Sequence, residues 1–212
     1  AVGTRRGVAR GGVRRDRHEP SYALLLAVMA LTGIGALVVL YARYYMSPED
    51  PVPRFFSFLL AFMGSMLGVV LADNPIALFV FWELTGFTSY LLIGFEHDRS
   101  AARQAALQAL LVTGAGGLAL LAAGILLWQA SGTASLSEML AGGLTFVDHP
   151  TYAGIAVLIL LAAFTKSAQF PFHFWLPNAM QAPTPVSAYL HSATMVKAGV
   201  YLVARMTPLV GG

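Results

Sequence analysis

Between Gln104 and Ser137 the chain runs without a single acid or base. A soluble helix of that length needs a charged face, so this stretch belongs in lipid. It is not alone. Apolar stretches long enough, or nearly so, to cross a bilayer run over Tyr22–Tyr45, Phe55–Leu71, Pro75–Phe95, Ala105–Trp128, Tyr152–Phe170 and Pro185–Met206. Lipid cannot satisfy an open backbone, and none of the runs alternates as a barrel strand would, so each is read as a helix. The expectation is an all-α integral membrane protein of about six spans. Composition agrees: 57% of the 212 residues are hydrophobic and only 11% charged, against about 25% charged in soluble domains.

The punctuation between spans is short. Ala72-Asp73-Asn74 is all that separates the second from the third, with Asn-Pro as breaker and helix start. Gly114, Gly116, Gly117 and Gly124, together with Gly33 and Gly35, are small enough to let helices pack closely. Residues 1–20 are Arg- and Gly-rich and read as a solvated, disordered tail, leaving 21–212 as one membrane domain. The positive excess lies in that tail, so no basic face remains for nucleic acid. Cysteine is absent, which excludes disulfides and thiolate metal sites. Arg43, Arg54, Arg99 and Arg103 fall in loops on one side and place that side in the cytoplasm.

Three ionisable residues interrupt the apolar runs: Glu83 in the third, Lys166 in the fifth and Lys197 in the sixth. Each costs roughly 2.5–3.5 kcal/mol on insertion scales, so it must pair, face water or neutralise. Burial disfavours the charged form of each, whereas a Glu–Lys pair restores it. A lysine balanced between those opposing effects can take up and release a proton, which is what a relay requires. The competing reading is a structural ion pair that only locks helices together. Four prolines, at 171, 177, 183 and 185, follow the fifth span. They predict a break near Phe170, about one turn beyond Lys166. Broken helices at membrane depth line cavities. His173 and His191 flank the break and titrate near neutral pH. Ser167, Gln169, Ser187, Ser192 and Thr194 could hold water between the charges. No phosphate loop, metal cluster or nucleophile–base set is present, and no cofactor is expected.

The stretches FVFWELTGFTSYLLIGF and AFTKSAQFPFHFWLPNAMQAPTPVSAYLHSATMVKAGVYLVAR resemble the proton-translocating antiporter-like family. That family comprises the large subunits of Mrp-type multisubunit Na⁺/H⁺ antiporters and the antiporter-like subunits of respiratory complex I. The wording is most similar to the A subunit of Mrp antiporters, and the resemblance extends from about Tyr22 to Arg205. It implies that Glu83 is the essential membrane glutamate, paired with Lys166 of the broken helix. It implies that Lys197 and His191 carry the proton path onward. It further implies a transporter subunit rather than an enzyme. Its partners would be H⁺ and Na⁺ or K⁺, the lipid bilayer and other membrane subunits, in the plasma membrane of a prokaryote. Residues 55–206 would form one five-helix repeat of an inverted pair, preceded by the helix at 22–45. Family members have about fourteen spans or more, so the chain is expected to be a fragment of that larger bundle. Two rivals stay open: a proton-pumping subunit of a redox complex such as NADH-quinone oxidoreductase, and a non-transporting structural membrane subunit.

Overall fold

The computed structural model describes residues 22–141 and 149–210. The basic segment 1–20 lies outside the described residues. Four helices are long and apolar enough to cross a membrane. They are α1 (Tyr22–Tyr45), α2 (Val52–Leu71), α3 (Pro75–Ile93) and α4 (Ser100–Ser131). A six-residue helix, α5 (Leu136–Ala141), precedes the shorter apolar helix α6 (Tyr152–Lys166). Short turns follow, including α7 (Trp175–Asn178). The chain then re-enters as α8 (Thr184–Ser187), a π-helical segment (Ala188–Ala193) and α9 (Met195–Val210). No strand occurs among the described residues.

The caps follow from local chemistry. Asn74 starts α3: its side-chain oxygen accepts from the Ile76 amide at 2.8 Å and the Ala77 amide at 3.3 Å, and Pro75 needs no acceptor at the first helical position. Gly132, at φ 74°, closes α4 in the left-handed conformation that glycine adopts without penalty. In sequence order α2 packs on α3, α3 on α4, α4 on α6 and α6 on α9, while α1 lies against α2, α8 and the π segment. Lipid gives no hydrophobic drive between helices, so close approach must do the work. Gly68 admits the Phe81 ring, Gly124 admits Pro75, and Gly35 admits Met63 and the Tyr189 hydroxyl. Gly33, expected to pack similarly, faces nothing within 4 Å. Leu60, Val80, Phe87, Leu111, Leu118 and Val157 point outward, as lipid-facing residues should.

The fifth expected span differs from the sequence reading. α6 ends at Lys166, four residues before Phe170. Fifteen residues rise only about 22 Å, short of the roughly 30 Å hydrocarbon core. The prolines are not the immediate cause. Ala168 takes φ 50°, and the Gln169 amide turns back onto the Phe164 carbonyl at 2.9 Å. Lys166 is therefore the last helical residue, not one a turn inside. The sixth expected span is also interrupted. The Thr194 hydroxyl donates to the Tyr189 carbonyl at 2.7 Å, five residues back, and fixes the wide π turn before α9.

Candidate functional site

Lys166 is 1% exposed and sits at the level of the middle of α3 and α4. Its Nζ donates to the Trp82 backbone carbonyl at 2.9 Å and lies 5.2 Å from the Trp82 ring centroid. Both contacts favour a cation. Gly86, one turn along α3, lies beside the ammonium at ordinary contact distance. A Cβ at Gly86 would stand 3.6 Å from Nζ and 3.5 Å from the Thr113 hydroxyl of α4. Being terminal, Lys166 also lies at the negative end of the α6 dipole.

Glu83 occupies a different niche on the same helix pair. Its half-buried carboxylate lies against Gly117 and Gly114 of α4. A Cβ at Gly117 would overlap Oε1 of Glu83 and stand 2.7 Å from its Cδ. Gly117 on α4 is thus the mould for this side chain, beyond its packing role. Glu83 and Lys166 feel each other's charge through Coulomb attraction. Direct ion pairs among the described residues are confined to the bundle ends: His97–Asp98, Arg99–Glu96 and Arg205–Asp73. An acid and a base held near each other in low dielectric, yet not locked together, can exchange protons through intervening polar groups. Two such groups have no protein partner: the buried Thr113 Oγ1 and Trp82 Nε1.

His191 connects to this centre through Trp175, a residue the sequence reading did not single out. The Trp175 Nε1–H donates to the Thr165 carbonyl, beside Lys166, at 3.0 Å. Its ring centroid is 6.3 Å from that of His191. Both imidazole nitrogens of His191 are buried without a hydrogen-bond partner. Lys197 stands apart. It is exposed, and it lines an apolar cavity of about 190 Å³ between α1, α2 and α9 with Leu31, Met66 and Tyr201. No described contact joins it to Glu83 or Lys166. The nearest link is structural: the Ser167 hydroxyl donates to the Val196 carbonyl at 2.6 Å, tying the end of α6 to α9 across Gly199. Ser187, Ser192 and Thr194 likewise give their hydrogens to backbone carbonyls. His173 is exposed and stacks on Phe170.

Known proteins share this fold and much of this sequence. The family described as NADH:quinone oxidoreductase/Mrp antiporter, TM matches residues 72–211. The chain belongs to that family. Among curated family members, a Rhizobium meliloti protein, named as a probable K(+)/H(+) antiporter subunit of type A/B, is 60% identical over 201 residues, 95% of this chain and 20% of the relative. The A1 subunit of the Na(+)/H(+) antiporter of Staphylococcus haemolyticus is 52% identical over 93% of this chain and 24% of its own length. Of solved structures, the Mrp complex from a Dietzia species matches with TM-score 0.80 and 48% identity, covering 85% of this chain and 20% of that one. The archaeal membrane-bound sulfane sulfur reductase matches with TM-score 0.75 and 25% identity, covering 88% of this chain and 29% of that one. The described segment therefore has the membrane fold of the family, and it spans about a fifth to a quarter of the curated relatives it matches.

Proposed function

We propose that this chain is a proton-conducting membrane segment of the large A-type subunit of a cation/proton antiporter, with Lys166 as the group that loads and releases the proton. The observation that carries the reading is the placement of Lys166. It is a fully buried ammonium at the end of an interrupted helix, attracted by Glu83, with a backbone carbonyl and a tryptophan face as its polar and ring partners. A structural lysine at this depth would be expected to close an ion pair, because an uncompensated charge is expensive there. Glu83 supplies the attraction that holds the proton on Lys166. His191, reached past Trp175, and Lys197, on the outer side of α9, extend the route. Residues 55–206 act as one five-helix repeat within a larger subunit. The protein is a transporter, not an enzyme, and works with other membrane subunits in a prokaryotic plasma membrane. The Arg54–Arg99–Arg103 end lies in the cytoplasm. Relatives named for Na⁺ and for K⁺ antiport support a monovalent cation as the exchanged ion.

The redox-driven reading has two observations in its favour, the family's own description, which names NADH:quinone oxidoreductase beside the antiporter, and the likeness to the sulfane sulfur reductase complex at 25% identity. The higher identity to antiporter subunits favours antiport. The test uses the complete complex in inverted vesicles from antiporter-deficient cells, with and without Lys166→Ala. Na⁺- or K⁺-driven proton movement should be present in the parent and lost in an equally assembled variant. Persisting flux in that variant would return Lys166 to a purely structural role. An assembled parent without cation-driven flux would favour the redox-driven alternative.

A further inference from the structure

At the arginine-rich end of the bundle, α2, α3 and α4 enclose a cavity of about 240 Å³ lined by Arg54, His97, Arg103, Tyr90, Phe58 and Leu91, among others. It is separate from the buried lysine and takes no part in the proposed relay. Its position is set by its walls. Arg54 stands in the first turn of α2, Arg103 in the first turn of α4 and His97 just past the end of α3. The cavity therefore lies where the apolar spans meet the polar boundary of the membrane.

The donors in it are held ready and only partly used. One Arg54 nitrogen donates to the Phe95 carbonyl at 2.7 Å and lies 3.5 Å from His97 Nδ1, while the guanidinium stacks 4.9 Å from the Phe95 ring centroid. Those contacts fix the plane of the group. Its Nε is buried and has no partner. Arg103 donates through one nitrogen to the His97 carbonyl, which holds the loop and the second guanidinium together. No acid lines the cavity. The neighbouring acids are engaged elsewhere: Glu96 pairs with Arg99 at 2.7 Å, and Asp98, almost fully exposed, sits 3.6 Å from the outer nitrogen of His97. Two guanidinium forks without a carboxylate, that of Arg54 held in plane, match the geometry of a phosphate. Phe58, Tyr90 and Leu91 give the same cavity an apolar wall along α2 and α3.

We infer that this cavity binds the phosphodiester headgroup of an acidic phospholipid, with the first part of its acyl chains along Phe58 and Leu91. Free phosphate shares the recognition chemistry, but it would leave the apolar wall without a use. Basic pockets between membrane helices on the cytoplasmic side are suited to anionic headgroups, and the loop arginines place this end there.

The test is native mass spectrometry of the complete purified complex, delipidated and titrated with phosphatidylglycerol, phosphatidylcholine or inorganic phosphate. The expected result is one saturable phosphatidylglycerol adduct that phosphatidylcholine does not match and 10-fold excess inorganic phosphate does not displace (~1.4 kcal/mol per tenfold). Arg103→Gln, an exposed position, should weaken that adduct about five- to tenfold. Arg54→Gln should weaken it at least as much, provided the complex assembles. Equal phosphatidylglycerol occupancy in parent and Arg103→Gln complexes would overturn the proposal. So would equal uptake of both lipids, or displacement by inorganic phosphate, which would make the site one for a soluble anion.

Discussion

Replacing Gly117 with alanine tests the mould around Glu83 by adding a single methyl group. The new Cβ would overlap Glu83 Oε1, lie 2.7 Å from its Cδ and stand 3.3 Å from Trp82 Cδ1. Something must move, and the free end of Glu83 is the part that can. Overpacking of this kind costs about 1–3 kcal/mol. Alanine recovers about 0.8–1.0 kcal/mol of helix propensity relative to glycine. The net stability loss should thus be modest, about 0–2 kcal/mol, and the complex should assemble. Transport should suffer more. A carboxylate displaced by an ångström or more no longer faces Lys166 as before, so cation-driven proton flux should fall by at least about tenfold, equivalent to ~1.4 kcal/mol. Gly114→Ala is the matched control. Its Cβ would meet Glu83 Oε2 at 3.7 Å, an ordinary contact, so flux should stay within about twofold while stability holds or rises. The assay is proton flux per assembled complex in vesicles, beside a thermal melt of the same preparation. Equal flux in the two variants would refute the idea that the seat on Gly117 matters to transport.

Trp175→Phe should leave the Thr165 carbonyl unpaired in a buried site and lower stability by about 1–3 kcal/mol. A thermal melt with flux measurements checks whether the loss also slows transfer past His191. At the opposite end, burial works to raise the Asp73 pKa, but hydrogen bonds from Ser137 and Ser135 and the nearby Arg205 hold it below its usual 3.8. A folded pKa below the unfolded one means the stabilisation is present above about pH 4 and fades as the pH falls through the folded value. Protection of the α5 amides, taken relative to intrinsic exchange at each pH, should therefore fall in acid, and Asp73→Asn should lower it at neutral pH with little further acid dependence.

The parts of this fold that were readable from sequence are those where one physical demand dominates. α1 to α4 are uninterrupted apolar runs, and lipid leaves them no alternative to helix. Their ends are less legible. Hydropathy marks where hydrocarbon stops, not where hydrogen bonding stops, so α4 begins at Ser100 rather than Ala105. α5 carries no apolar signal of its own. It is anchored from afar, by Asp73 accepting from the Ser137 amide at 2.9 Å and from the Ser135 hydroxyl at 2.8 Å. The break at Thr194 has neither glycine nor proline to announce it, because a single hydroxyl on a carbonyl five residues back sets it. The candidate site divides in the same way. Buried charge stands out in any apolar sequence, so Glu83 and Lys166 were visible. Trp175 and Thr113 look like ordinary packing residues until their polar atoms are seen facing the centre. Lys197 shares its membrane depth with the others, yet depth alone does not say which face of α9 carries it.

The coincidence of Lys166 with the final residue of α6 means that one residue is both the proposed proton carrier and a helix terminus. The carbonyls of its own last turn are paired, with the Ser167 and Gln169 amides and the Trp175 indole, and as the negative end of the α6 dipole they favour its charge. Removing the proton would remove a charge that this dipole favours and weaken the bond to the Trp82 carbonyl on α3. The segment from Ser167 to Gln169, tethered to α9 through Ser167 and to Phe164 through the Gln169 amide, is the first to feel the change. A change of charge at the ammonium would thus be felt directly at the helix end that joins α3, α6 and α9.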